Sequence, residues 1–166
     1  YNLGEGKLAG AEENDIYYYK GLCYRELGKE SEALSCFQKA TVGSSEPAQA
    51  FFYNDQQPDK IFYQGLAWRA LGDEKKARSC FNKLIKHGEK HLFDNCKIDY
   101  FAVSLPDLAI WEEDLNKRNL LHCNYVMGLG HLGLGNLVKA RSFLEEVRKL
   151  DVNHQGGQIH LNMCNK

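Results

Sequence analysis

Three stretches of the chain repeat one order of small, apolar and polar positions. The first runs Tyr17, Gly21, Tyr24, Leu27, Gly28, Ala33, Phe37, Ala40. The second runs Ile61, Gly65, Trp68, Leu71, Gly72, Ala77, Phe81, Leu84, and the third Asn124, Gly128, His131, Leu134, Gly135, Ala140, Leu144, Val147. In all three the second glycine follows the first by seven residues, the alanine comes five later, and a Phe or Leu four after that. The apolar positions recur at helical spacing, as in Ala33-Leu34-Phe37-Ala40 and Ala140-Phe143-Leu144-Val147. Each unit is therefore predicted to be a helical hairpin. The first glycine lets the two helices approach, because it carries no side chain. The Leu-Gly pair ends the first helix, with Gly28, Gly72 and Gly135 suited to the left-handed conformation common at helix C-termini. Asp73 and Asn136 can cap the next helix; Lys29, at the same place in the first unit, is a weaker cap.

Between copies the first glycines stand 44 and 63 residues apart, leaving ten and 29 residues beyond a 34-residue period. We place the repeats at about 14–47, 58–91 and 121–154, with insertions at 48–57 and 92–120. Pro47–Asn54 is expected to form a short helix before a turn at Gln57-Pro58-Asp59. Pro106–Lys117 reads as a helix with Leu108, Trp111 and Leu115 on one face. Asp94–Leu105 is ambiguous, with helix favoured by its surroundings, and a fourth, degenerate hairpin could occupy 92–120. The tail, about 154–164, is expected to be a helix covering the last repeat, since end repeats need a cap.

An aromatic or apolar residue, then Gly, then an aromatic, then A-x3-F is the tetratricopeptide (TPR) pattern, and the chain resembles that family. It stands as Tyr17…Gly21…Tyr24…Ala33…Phe37 and again through Ile61…Phe81. The third copy departs from it, with His131 for the aromatic and Leu144 for Phe. The resemblance implies one all-α domain over residues 1–166, a TPR-like α-α superhelix of three hairpins with inserted helices and a C-terminal capping helix. The segments YNDQQPDKIFYQGLAWRALGD, DYFAVSLPDLAIWEEDL and LGLGNLVKARSFLEEVRKLDVNH are also similar to the C-terminal repeat region of large bacterial proteins. Many of these are from gut Bacteroidetes and carry a β-rich domain of unknown function ahead of the repeats. That similarity implies an accessory repeat domain without assigned biochemistry of its own.

In the family, the first helix of each hairpin lines the concave face. Three stripes would then face inward: Tyr18-Leu22-Arg25, Phe62-Leu66-Arg69 and Tyr125-Leu129-Leu132. They would accept an extended or helical peptide through apolar anchors, with Arg25 and Arg69 meeting acidic groups. The chain's own insertions, or Leu3–Ala11, could instead fold over this face and make it core. Two functions follow: a non-catalytic module that binds a protein or peptide in its groove, or a structural spacer that packs against an upstream domain of the parent chain with its groove self-filled. A clamp for a C-terminal carboxylate, with Lys and Asn on the inner helices, is not supported, because Tyr18 and Leu22 occupy those places.

Composition narrows the partners. The formal net charge is −1 and no basic run exceeds two residues, as at Lys75-Lys76, which argues against a nucleic-acid arm or a polybasic membrane patch. No run is long enough to be a transmembrane helix. Tyr1 stands where Met would open a full chain, and Tyr1–Leu8 lacks a signal-peptide layout, so a piece of a longer protein is expected, with the cytoplasm favoured. Six cysteines without a C-x-x-C pair read as free, mostly buried thiols.

No candidate for catalysis stands out, and no cofactor or metal is expected. His87, His91 and Cys96 form H-x3-H-x4-C, but no fourth ligand is evident and Gly88 interrupts the presumed helix. Asp107, Glu112, Glu113 and Asp114 read as the charged face of an amphipathic helix rather than an acid–base pair. Gly128-Leu-Gly-His-Leu-Gly133 fits G-x-G-x-x-G as letters but lies in a helix with no strand before it. His122 and Cys123, adjacent on a helix, point about 100° apart and are poorly placed to pair.

Overall fold

Among the residues that the computed structural model describes, 12–49, 56–96 and 114–165, every regular element is an α-helix. The order is α1 (Asn14–Glu26), α2 (Glu30–Ala40), α3 (Pro58–Ala70), α4 (Glu74–His91), α5 (Leu115–Gly133), α6 (Leu137–Leu150) and α7 (Gln155–Met163). The pairs α1–α2, α3–α4 and α5–α6 are the three hairpins of the repeat. They stack so that α1 packs on α3, α3 on α5, and α4 on α5, and α7 packs against α6 and α5 as the terminal cap. The result is an all-α, TPR-like superhelix.

Each hairpin turns by the same device. Gly28, Gly72 and Gly135 take φ of 72°, 87° and 78°. The next residue's N–H then reaches back over the turn: Lys29 to the Tyr24 carbonyl, Asp73 to Trp68 and Asn136 to His131, each at 2.9 Å. These are Schellman closures, which satisfy carbonyls that a helix end would otherwise leave bare. Asp73 and Asn136 then accept from the backbone of Lys76 and Lys139, whereas Lys29 makes no side-chain cap.

Glycines also set how closely the helices lie. A methyl group on Gly21 would stand 2.5 Å from the Phe37 ring, and on Gly128 2.8 Å from Leu144. Phe81 is met by two helices, because Gly65 and Gly133 both present bare backbone to its ring. Gly130 approaches the Phe81 carbonyl and Ile85, while Gly88 meets the Cys123 carbonyl and Met127. The three glycines of the G-x-G-x-x-G letters thus serve helix packing, with α5 wedged between α4 and α6. Gly88 does not interrupt α4, which continues to His91 with Gly88 buried against α5. Where the third copy lacks an aromatic, His131 stacks on Phe143 with ring planes 2° apart.

The insertions differ from expectation at their edges. The turn expected at Gln57-Pro58-Asp59 is instead the start of α3: Gln57 is extended at φ −67°, ψ 138°, and Pro58 takes the first helical position. Residues 47–49 are not helical, and the rest of the helix expected over Pro47–Asn54 lies outside the described residues. Leu108, Trp111, Asp107, Glu112 and Glu113 also lie outside them, as does most of Asp94–Leu105. Asp114 is the N-cap of α5, accepting from the backbone of Asn116 and Lys117.

Buried polar side chains tie the connecting segments to the helices. Asn14 donates to the carbonyls of Ala40 and Val42 at 2.7 Å each. Gln64 donates to Val42 and Ser44, Asn119 to the carbonyl of His91, and His122 to that of Ala48. Replacing Asn14 with Ala would leave the Ala40 carbonyl bare and the Val42 carbonyl with Gln64 alone, and is expected to lower unfolding free energy by about 2 kcal/mol, read by urea titration. All six cysteines are free thiols; Cys36, Cys80, Cys123 and Cys164 are buried, but Cys23 is exposed.

Candidate functional site

The inner helices α1, α3 and α5 lie side by side, and α7 closes over part of their shared face. The nine residues of the predicted groove divide into three groups. Phe62 and Leu129 are fully buried and Tyr125 is 6% exposed. Tyr18, Leu66 and Leu132 are partly buried and pack against the same core, and Leu22 is half-buried. Arg25 and Arg69 are engaged within the chain.

The burial of Phe62 and Tyr125 has a specific cause. His160, on α7, sets its ring edge-on to Phe62 at 5.2 Å and tilted against Tyr125 at 5.8 Å. The Tyr125 hydroxyl lies 3.1 Å from His160 Nδ1, and its ring meets His154 at 4.7 Å. The cap helix thus occupies the middle of the face that Phe62 and Tyr125 were expected to open to solvent. Enclosure raises the Tyr125 hydroxyl pKa well above its usual value.

The arginines do different work from that expected of them. Arg25 donates to the Ala70 carbonyl at 3.2 Å and lies over the Phe37 ring at 4.6 Å. It therefore ties α1 to the C-terminal end of α3, where a cation is favoured. Arg69 grips Glu74 through two hydrogen bonds, 2.9 and 3.1 Å, and lies over Phe81 at 5.1 Å.

Among the described residues, cavities lie at the N-terminal ends of the inner helices, and two of them adjoin. The larger, about 840 Å³, is bounded by Asp59, Lys117, Leu121, Tyr125, Asp151 and His154 among others, from α3, α5, the end of α6 and the start of α7. The smaller, about 320 Å³, lies between α1, α3 and α7, with Asp15, Tyr19, Asp59, Tyr63, Ile159 and His160 on its walls. Asp59 and Gly156 line both, so the cavities adjoin there. Burial pushes the Asp59 carboxyl pKa up and the His154 and His160 imidazoles down. Residues at one helical offset from the predicted stripe, Asp15, Tyr19, Asp59 and Tyr63, therefore matter more to open space than the stripe itself. Their signal in the sequence was the shared D-x3-Y spacing ahead of Gly21 and Gly65.

The histidine pattern at the end of α4 resolves into hydrogen bonding. The His91 and His87 rings lie tilted against each other at 4.6 Å, and α5 brings His122 edge-on to His87 at 5.8 Å, a neighbour that linear spacing does not reveal. His91 Nδ1 bonds the Asp94 carboxylate at 2.6 Å, and Cys96 Sγ turns to the Asp94 carbonyl. Among the described residues no group of three such side chains is arranged to hold a metal ion. Cys123 Sγ bonds Asn119 rather than His122. Among the described residues no helix is long and apolar enough to cross a membrane.

Comparison with known proteins matches the first two of these repeats. Residues 15–41 and 61–87 each match a tetratricopeptide repeat model, covering α1–α2 and most of α3–α4. In structure the chain is similar to the first TPR of Spaghetti (RPAP3) bound to the HSP90 peptide SRMEEVD, at 16% identity and a TM-score of 0.32, with 92% of this chain and 90% of that chain covered.

Proposed function

We propose that these tetratricopeptide-type hairpins form a non-catalytic module that holds a partner polypeptide along its inner face, at the cavities bounded by α1, α3, α5 and α7. The cavity of about 840 Å³ carries this reading: four elements converge on it, and it mixes apolar walls (Leu121, Leu150) with charged groups (Asp59, Lys117, Asp151). Such a surface suits a polypeptide, whose side chains find pockets while its backbone finds polar partners. The partner is a separate protein or a domain elsewhere in the parent chain.

A second reading, a spacer with its groove filled by itself, draws on the cover that α7 places over Phe62 and Tyr125. Photo-cross-linking separates the two. A photoreactive residue at Lys117 or Leu22 faces the inner side; one at Val138 or Leu34 faces out. Partner binding predicts protein adducts from the inner positions and none from the outer. Adducts from the outer positions alone, or from neither set, would remove the inner face from the account.

A further inference from the structure

The smaller cavity has a chemical bias that the whole-face reading does not specify. His160 is 2% exposed, and its Nδ1 lies 2.7 Å from the Gly156 carbonyl. A carbonyl only accepts, so Nδ1 carries the hydrogen and Nε2 is a bare acceptor. That Nε2 is enclosed and has no hydrogen-bond partner among the described residues. An enclosed acceptor left open is uncommon and points to a missing donor.

The other polar groups on the walls are two carboxylates, Asp15 and Asp59, two tyrosine hydroxyls and the Gln155 carboxamide. Asp15 is already matched, because Lys60 Nζ lies 2.6 Å from its carboxylate. Asp59 stands at the start of α3 and, among the described residues, has no ion pair to match it, although it lines the same cleft. Lys60, the next residue, spends its charge on Asp15. The Tyr19 and Tyr63 hydroxyls lie 3.2 Å apart, so one of their two hydrogens is used between them, and their rings present aromatic surface at 5.5 Å. Ile159 adds an apolar wall.

We propose that this cleft receives the side chain of a lysine from the partner polypeptide, its ammonium donating to Asp59 and His160 and its alkyl stem lying along Tyr19, Tyr63 and Ile159. An ammonium offers three donors and no acceptor, which complements the Asp59 carboxylate and the bare His160 Nε2. Its four-carbon stem covers apolar surface while the head stays polar, and aromatic faces attract the cation. The groups first expected to choose the partner, Arg25 and Arg69, would have selected acidic segments; both are occupied within the chain, and the open cleft selects the opposite charge. The proposal rests on the inner-face reading for taking a polypeptide as the source of the lysine.

The test titrates Nα-acetyl-lysine amide into the ¹⁵N-labelled chain, with Nα-acetyl-norleucine amide and Nα-acetyl-glutamate amide as controls. The lysine probe is expected to move the backbone signals of Asp59, Tyr63 and Ile159 saturably, and the His160 Nε2 signal toward its hydrogen-bonded value. Asp59→Asn, which keeps the shape and removes the charge, is expected to weaken this by about tenfold with unchanged circular dichroism. No shift, an equal response to norleucine or glutamate, or full binding by Asp59→Asn would overturn the proposal. If the probes fail while photo-cross-links still form from Lys117 and Leu22, the inner face keeps its role and only the lysine assignment falls.

Discussion

Gly133→Ala is expected to destabilise the chain by about 2 kcal/mol, although Ala is favoured over Gly inside a helix by about 1 kcal/mol. The sign is the informative part. Helix propensity alone predicts stabilisation at this position in α5. The added methyl, however, would fall inside contact distance of three atoms of the Phe81 ring, closer than real side chains come. Phe81 has little room to retreat, because the backbone of Gly65 on α3 also lies close against the ring. The ring is fully buried, so any accommodation must move α5 away from α4. Gly135→Ala provides the contrast: nothing lies within 4 Å of its methyl, and only the φ of 78° is strained. Its expected cost is about 1 kcal/mol, through the turn alone. Urea unfolding of the two variants measures both. A rise in stability for Gly133→Ala would show that α4 and α5 are not held at glycine distance.

Stability is also expected to fall steeply in mild acid. Burial pushes the His122 imidazole down to about 4 from an ordinary 6.5. Between those values the unfolded chain binds a proton that the folded chain refuses, so stability rises with pH across the window and is lost as pH falls through it. The full shift corresponds to about 3 kcal/mol. Burial is the main cause and the neighbouring His87 adds to it, while the hydrogen bond that Nε2 donates to the Ala48 carbonyl at 2.8 Å opposes them in part. His87, His154 and His160 are also shifted down, chiefly by burial, and add in the same direction. Asp59 is shifted up and opposes them, because the folded state takes up its proton earlier than the unfolded chain as pH falls. His122→Gln retains a donor for Ala48 without a titrating ring. Its unfolding free energy is expected to change less between pH 7 and pH 4.5, by about 2 kcal/mol relative to the parent. An unchanged pH slope would show that His122 is not the group that governs acid lability.

The hairpins were legible in the chain because their determinants are local. Gly28, Gly72 and Gly135 sit at fixed offsets from the residues they close upon, so a linear pattern carries them. Gly21, Gly65 and Gly128 likewise recur in register with the Phe or Leu that fills the space they leave. Contacts between non-adjacent segments were not legible in the same way. Nothing in the spacing of Gly130 and Gly133 says that Ile85 and Phe81 lie opposite. Asn14, Gln64, Asn119 and His122 read as unremarkable polar positions, because their partners are carbonyls 20 to 74 residues away. The predicted groove was offset for a related reason. The stripes Tyr18-Leu22-Arg25 and Phe62-Leu66-Arg69 were found by their agreement between repeats. That agreement also marks contacts between neighbouring repeats, such as Arg25 to Ala70 and Tyr18 against Tyr63 at 5.8 Å. The cap helix was anticipated as a cover for the last repeat, but that it reaches Phe62 on the second depends on the curvature of the stack, which no local pattern encodes.

Hydroxyl-radical footprinting of the chain with and without its cross-linked partner addresses the central claim most directly. Tyr19 and Ile159, each 44% exposed on the inner side, report on the proposed face. Val138 and Phe93, at 83% and 89%, report on surfaces away from it. The account predicts strong protection of Tyr19 and Ile159 with Val138 and Phe93 unchanged. Protection of Val138 or Phe93 with Tyr19 and Ile159 still fully labelled would place the partner elsewhere and contradict it.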